Sequence, residues 1–171
     1  EALGLDGSST DLNAMSTKIM RNYLGVHEEW KAFYRTRDDL YRLLREGEIT
    51  YEEIQTRLFD QYKTTFGNQE KLFDALDIDL TELFVSRYGE KVREATVAWR
   101  KGVKDVRIKM HADMEQHRAA GTQSWNDFLN TSYLDSIAQL HQQNTQGAAK
   151  VANLAMGIDL VPSEPPTKPA F

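Results

Sequence analysis

The chain has 171 residues, of which 40% are hydrophobic and 27% are charged, and these fractions exclude a disordered or collagen-like chain. It has no cysteine, which excludes a disulfide scaffold, a zinc–thiolate site, an iron–sulfur cluster and thiol catalysis. The net charge of −5 disfavours nucleic acid as the main partner, and no stretch within these residues is apolar enough for a membrane span. A cysteine-free chain is compatible with the periplasm, a virion or the cytoplasm, so the localisation stays open.

The position of proline divides the sequence. All four prolines fall near its end, at Pro162, Pro165, Pro166 and Pro169. Because a proline costs about 3 kcal/mol inside a helix, the long stretch before them is compatible with long helices. Glycines and small polar residues near the start indicate a loose lead. We therefore predict a flexible lead over 1–9, a helical bundle domain over 10–157 and an extended tail or linker over 158–171.

The first part of the predicted domain has apolar residues at helical spacing. They recur three or four positions apart over 12–23 and again over 26–44, which is typical of an amphipathic helix. Gly25 separates the two runs, so we expect either one bent helix or two consecutive helices. Arg45 and Gly47 then provide a stop signal.

A clear helix start follows. Thr50 and Glu53 form a T-x-x-E capping box, in which each side chain accepts a hydrogen bond from the backbone N–H of the other residue. Ile49 and Ile54 flank this cap as a hydrophobic staple. The apolar stripe beyond it predicts a helix that ends at Gly67.

In the second half of the predicted domain, the sequence pattern predicts one short helix followed by two longer ones. Asp79 and Glu82 repeat the capping-box pattern, and the stripe after them fits one nearly straight helix over 80–120 that stops at Gly121. Ser124 is the predicted N-cap of the last helix. Since no segment has the period of a strand and short turns favour antiparallel neighbours, we predict an all-α fold. Its expected architecture is an elongated antiparallel bundle of three to five helices with an extended C-terminal tail.

The sequence has no strong motif for a metal site, a phosphate-binding site or a catalytic nucleophile. The four histidines occur without any E-x-x-H pair, so a di-iron carboxylate site has no support. The D-x-D-x-T run that begins at Asp77 lacks the glycine and the final glutamate of a calcium loop. No phosphate-binding loop or nucleophile elbow occurs. We therefore expect no catalytic residue, no metal site and no cofactor.

A stripe on the predicted 80–120 helix is the candidate ligand surface. It contains four basic residues and a histidine, at Arg93, Arg100, Lys104, Arg107 and His111. This basic stripe could bind an anion, a nucleic acid or a protein partner. The alternative is that it pairs with acidic residues of the earlier helices. We favour the alternative, because no aromatic residues are interleaved for base stacking.

Aromatic residues in the first helical run have two interpretations. Trp30, Phe33, Tyr34 and Tyr41 could stack on a ligand. Helical spacing of this kind is more often found in an ordinary core. We therefore interpret these four residues as core.

The last helix contains a polar interruption. Residues 141–146 are polar on every side, and Asn144 falls on the apolar stripe. An amide buried there without hydrogen bonds would cost about 1–3 kcal/mol. Either the bundle opens at this point or a polar network satisfies the amide. We favour a network in which Asn144 specifies the register of the helices.

The predicted tail is rich in proline and favours an extended polyproline-II conformation. We interpret it as a linker. The alternative is a docking peptide with its prolines and Phe171 as contact residues.

These observations predict a non-enzymatic protein that binds other protein subunits, as an adaptor or a structural subunit of a larger assembly. A homo-oligomer is one form of such an assembly, and a component of a secretion apparatus or of a virion would fit. One alternative is a helical module that binds nucleic acid or another anion through the basic stripe. The other is a bundle enzyme or cofactor protein assembled from residues that are distant in the sequence.

Overall fold

The structure, a computed structural model, describes residues 9–157, and within them the all-α fold class is confirmed. This part of the chain contains five α-helices, one 3-10 turn at Glu90–Val92 and no strand. The helices are α1 (Ser9–Arg45), α2 (Tyr51–Tyr88), α3 (Arg93–Ala119), α4 (Thr122–Asn130) and α5 (Ser132–Met156). The predicted lead before Ser9 and the whole predicted tail lie outside the described residues.

The chain divides into two compact units, Glu1–Leu83 and Phe84–Phe171. In the first unit, α1 and the part of α2 that ends at Leu83 form an antiparallel hairpin. Three contacts define its register: Lys18 with Asp79, Val26 with Gln69, and Trp30 with Tyr62. The inner faces of both helices are buried, at Met15 and Leu40 of α1 and at Ile54 and Leu76 of α2. The hairpin therefore has its own apolar core.

Helix α1 continues through Gly25, so the single-helix alternative is correct. A Cβ atom at this position would lie 3.1 Å from Leu72 Cδ1 of α2. The missing side chain therefore allows the two helices to approach closely. The predicted stop is also confirmed, since α1 ends at Arg45 and Gly47 has a φ of +74°.

The capping box at the start of α2 is confirmed. The Thr50 backbone N donates to Glu53 Oε2 at 2.7 Å, and the Glu53 backbone N donates to Thr50 Oγ1 at 3.1 Å. These hydrogen bonds with Thr50 lower the pKa of the Glu53 carboxyl. The first turn of α2 is thus closed by side chains in the way that the sequence predicts.

Two predicted boundaries inside α2 are wrong. The helix does not end at Gly67, an exposed position with open space around its Cα atom. A helical glycine costs about 1 kcal/mol relative to alanine, and the packing of α2 against α1 on both sides of it outweighs that cost. Asp79 does not cap a new helix either, because it lies within α2, is buried and pairs with Lys18.

The predicted unbroken helix over 80–120 is also wrong. Its break falls at Gly89, where a φ of +91° cannot be part of a right-handed helix. The chain then passes through the short 3-10 turn and begins α3 at Arg93. The predicted stop at Gly121 is confirmed, with a φ of +110°.

In the second unit, α3 and α5 pack against each other and α4 contacts both. The predicted single last helix is broken at Thr131, whose hydroxyl donates to the backbone oxygen of Asp127. The predicted N-cap residue Ser124 lies inside α4, and its Oγ is 2.8 Å from Nδ1 of His117. The apolar core of the unit includes Val103, Met110, Met114, Phe128, Ala149 and Val151.

Candidate interaction surface

Aromatic side chains form a stripe along one side of α1. Its members are Tyr23, Trp30, Tyr34 and Tyr41. Their spacing of seven, four and seven residues keeps them within about 40° around a helix with 100° per residue. Tyr23, Tyr34 and Tyr41 are 60%, 47% and 40% exposed, and Trp30 is half-buried. We call these four residues, together with Tyr62 of α2, the aromatic surface.

The Trp30 ring contacts two other rings of this surface. The Trp30 and Tyr34 ring centroids are 6.1 Å apart with an interplanar angle of 27°, and Trp30 and Tyr62 are 6.0 Å apart. Phe33 supports them edge-on, at 5.8 Å from Trp30 and 6.1 Å from Tyr62. Such ring pairs contribute roughly 0.5–1.5 kcal/mol beyond area burial. The Tyr34 ring is therefore held by contacts within α1, and Trp30 and Phe33 are held in turn by Tyr62 of α2.

Charged groups lie at the edge of the aromatic surface. The guanidinium carbon of Arg37 is 4.8 Å from the Tyr34 ring centroid, a distance typical of a cation–π contact. Arg37 also pairs with Asp38 at 3.2 Å, and the Asp38 side chain is 72% exposed. The surface thus combines flat aromatic faces with a cation and an anion.

The interpretation of these aromatic residues as core is wrong for Tyr34 and Tyr41, which are exposed. Helix α2 packs on the face of α1 that includes the buried Met15 and Leu40 and reaches the aromatic stripe at Trp30. The aromatic stripe is displaced from that face by about a quarter turn. Helical periodicity identifies one continuous apolar side of α1, but it cannot show how much of that side a second helix covers.

The five residues of the predicted basic stripe lie in or at the start of α3 and have different surroundings. Arg107 is buried, whereas Lys104 and His111 are half-buried. Arg93 Nε donates to Glu90 Oε2 at 2.8 Å, and this pairing lowers the pKa of Glu90. The Arg100 guanidinium carbon lies 5.0 Å from the Trp99 ring centroid. The stripe is therefore not a uniform row of exposed charges.

His111 is uncharged at neutral pH. Its burial, together with the nearby Arg107 charge, lowers its pKa from 6.5 to about 4. An unfolded chain protonates this histidine near pH 6.5, so between pH 6.5 and 4 the unfolded state binds more protons than the folded state. The free energy of unfolding should therefore fall as the pH falls through this window.

We expect His111→Gln to reduce that pH dependence. The effect should be roughly 1–2 kcal/mol between pH 7 and pH 4, after discounting for the partial exposure of the imidazole. The measurement is urea unfolding at several pH values. The control is His27→Gln at an exposed position of α1, which should keep the wild-type slope. Equal slopes for the wild type and His111→Gln would contradict the prediction.

Asn144 is exposed, so its expected burial is wrong. The amide nevertheless has a partner, because Trp99 Nε1 of α3 donates to Asn144 Oδ1 at 3.0 Å. The polar interruption over 141–146 is tolerated because four of its six residues are exposed and because the Asn144 amide accepts a bond from the neighbouring helix. A role for Asn144 in register stays a prediction.

We expect Asn144→Leu to keep the helicity of the chain and to change its packing or assembly, since the α3–α5 pair loses a directional hydrogen bond. Circular dichroism measures the helicity, and solution X-ray scattering with Trp fluorescence measures the packing. Gln142→Leu, at another exposed position of α5, is the matched control. If Asn144→Leu changes only the melting temperature, Asn144 does not specify register.

Helical periodicity did not identify two residues of the aromatic surface or one long-range ion pair. Tyr23 and Tyr62 belong to the aromatic surface, and the seven-residue spacing from Tyr23 to Trp30 is the signal that could have identified the first of them. The Lys18–Asp79 pair joins residues 61 positions apart, and no local pattern predicts such a contact. The predicted docking residues Pro162, Pro165, Pro166, Pro169 and Phe171 lie outside the described residues.

Residues 9–157 contain no group of three or more His, Asp or Glu side chains that could hold a metal ion. Among the helices of that range, none is both long and apolar enough to cross a bilayer. Comparisons with protein-family models, with curated proteins and with solved structures found nothing that matches this chain.

Proposed function

We propose that this chain is a non-enzymatic module that binds other proteins, as an adaptor or structural subunit, and that the aromatic surface is its docking face. The observation that carries this proposal is the exposed Tyr34 ring, which stacks on the half-buried Trp30 and lies beside Arg37, together with the exposed Tyr23 and Tyr41 on the same side of α1. Trp, Tyr and Arg are the residues most enriched among those that dominate binding energy at protein interfaces.

The physical basis is the low cost of ordering these side chains. Tyr and Trp offer a large contact area with only two rotatable side-chain bonds. Ring contacts among Trp30, Tyr34 and Tyr62 already restrict those bonds in the free protein. A partner that covers the surface would therefore gain burial of apolar area without a large loss of conformational entropy.

The test compares two variants of the full chain in an extract of the source cells. Tyr34→Ser/Tyr41→Ser alters the aromatic surface, and Val97→Ser/Ile108→Ser alters two α3 residues of similar exposure, 50% and 45%. Quantitative mass spectrometry measures the proteins retained by each variant and by the wild type. We expect the tyrosine variant to lose a partner by at least about tenfold, because contact residues of this kind are often worth more than 1 kcal/mol each.

The control should retain that partner at the wild-type level. Equal retention by the wild type and the tyrosine variant would contradict the proposal. An equal loss with both variants would also contradict it, because the effect would then not be specific to the aromatic surface.

Two alternative functions have weaker support. Binding of nucleic acid through the basic stripe is disfavoured by the burial of Arg107 and by the pairing of Arg93 with Glu90. A titration with nucleic acid at two salt concentrations tests it, since phosphate contacts weaken steeply with salt. An enzyme or cofactor protein built from dispersed residues is tested by metal analysis and an absorbance spectrum of the purified chain.

A further inference from the structure

The segment over 162–169 has a regular proline pattern. Its sequence, P-S-E-P-P-T-K-P, consists of two consecutive P-x-x-P motifs. A polyproline-II helix has three residues per turn and rises about 3.1 Å per residue, so a P-x-x-P motif that adopts it places its two prolines on one edge about 9 Å apart. The whole segment would extend about 22 Å in that conformation. We call it the PxxP segment.

The aromatic surface has matching dimensions. Tyr34 and Tyr41 are seven residues apart on α1, as are Tyr23 and Trp30. At about 1.5 Å per residue each pair spans about 10.5 Å, and the full stripe from Tyr23 to Tyr41 spans about 27 Å. The two rings of each pair are thus nearly as far apart as the two prolines of one motif, and the full stripe is longer than the segment.

The chemistry of the two elements is complementary. Proline-rich segments dock in aromatic-lined grooves, and their preformed conformation makes the entropy cost of binding small. Their backbone carbonyls have no internal hydrogen bonds, so they can accept bonds from the exposed tyrosine hydroxyls. Lys168 lies within the second motif, and the exposed Asp38 carboxylate lies at the edge of the surface.

We infer that the aromatic surface binds the PxxP segment of a second copy of this chain, an inference that rests on the proposed docking function of that surface. Such a contact joins two different patches, so it is heterologous and builds rings or open chains of copies. This arrangement is what an assembly subunit requires. It also gives the aromatic surface an occupant of defined chemistry.

The test uses the purified full chain, prepared as an equal mixture of unlabelled and ¹⁵N-labelled copies. The photo-crosslinker p-benzoylphenylalanine replaces Tyr34, and mass spectrometry maps its products. We expect crosslinks from position 34 to the PxxP segment that join a labelled copy to an unlabelled one. The control places the crosslinker at Arg21, an exposed position on the opposite side of α1, and should not give these products.

A second variant changes all four prolines of the segment to glycine and leaves the aromatic surface intact. We expect this variant to lose the crosslink and to reduce self-association in sedimentation velocity by about tenfold, which corresponds to about 1.4 kcal/mol. Three results would overturn the inference: no crosslink to the segment, crosslinks only within one copy, or crosslinks to the helices of the second copy.

A separate experiment, the one in cell extract, tests the proposed function. The extract experiment uses the variant Tyr34→Ser/Tyr41→Ser, which keeps the PxxP segment. It measures the retention of any partner protein, whether or not that partner contains a PxxP segment. A lost partner there, combined with no crosslink in the purified chain, would overturn the inference and leave the proposed function supported. Equal partner retention in the extract would instead contradict the proposed function itself.

Discussion

Gly147→Ala is expected to destabilise the second unit by about 1–3 kcal/mol, the usual cost of overpacking a core. Gly147 of α5 faces Trp99 of α3, and a Cβ atom added at Gly147 would lie 2.7 Å from Trp99 Cβ. That atom is bonded to the α3 backbone, so the tryptophan cannot relieve the clash by rotating its ring. The helices would have to move apart, with loss of the contacts between them.

Gly67→Ala is the matched control for this prediction. Gly67 also lies inside a long helix, but apart from the nearby backbone of that helix no described atom is within 4 Å of the position that its Cβ would occupy. Alanine there should stabilise the chain by about 0.5–1 kcal/mol, because glycine loses more backbone entropy on helix formation. Urea unfolding followed by circular dichroism measures both variants. Similar shifts of the same sign would show that helix propensity, and not the approach to Trp99, governs position 147.

A comparison of four glycines, Gly25, Gly47, Gly67 and Gly121, explains which helix boundaries the sequence could predict. Gly47 and Gly121 stop helices because the chain adopts a positive φ at both positions. Gly67 and Gly25 lie in helices because packing against the neighbouring helix continues on both sides of them. All four residues are glycines, so the residue type does not show whether a helix ends at that position or continues through it. The tertiary contacts make that distinction. The Thr50–Glu53 capping box carries its own hydrogen bonds and was predicted correctly, whereas the same pattern at Asp79 and Glu82 lies inside α2 and starts no helix.

The aromatic surface and the basic stripe likewise depend on tertiary contacts that a sequence pattern does not show. Helical spacing identified Trp30, Tyr34 and Tyr41 as one apolar side of a helix, but the exposure of Tyr34 and Tyr41 depends on how far α2 extends around α1. The basic stripe was placed on one helix correctly, yet Arg107 is buried and Arg93 is paired with Glu90. Periodicity gives the direction of a side chain around its own helix. It does not give the surface that the fold leaves uncovered.

The ion pair in the hairpin provides the second prediction with a large expected effect. Asp79 is 1% exposed, and its two carboxylate oxygens lie 3.3 Å and 3.2 Å from Nζ of Lys18. Only Oδ1 has hydrogen-bond geometry, and Oδ2 has no hydrogen bond within the part of the chain that the structure describes. The nearby Thr81 hydroxyl donates to the Asp77 backbone oxygen instead. The buried carboxylate therefore depends on a single cation.

Lys18→Met should destabilise the first unit by about 3 kcal/mol, the lower end of the cost of leaving a buried charge without its partner. Removal of the other partner, in Asp79→Leu, should reduce the free energy of unfolding much less. The Lys18 side chain is 42% exposed, so in Asp79→Leu the ammonium can turn toward water, and leucine fills the buried position with apolar volume. The two single variants should thus differ strongly, although each removes the same ion pair.

The double variant Lys18→Met/Asp79→Leu completes the test. Replacing both partners by apolar residues leaves no buried charge, so we expect it to recover most of the stability lost in Lys18→Met. Urea unfolding at pH 7 gives the free energy of each variant, and Lys31→Met, at an exposed pair with Glu28, controls for the loss of a surface cation. Equal losses in the two single variants, or no recovery in the double variant, would contradict this account. In that event the burial of Asp79 would have to be supported by contacts other than Lys18.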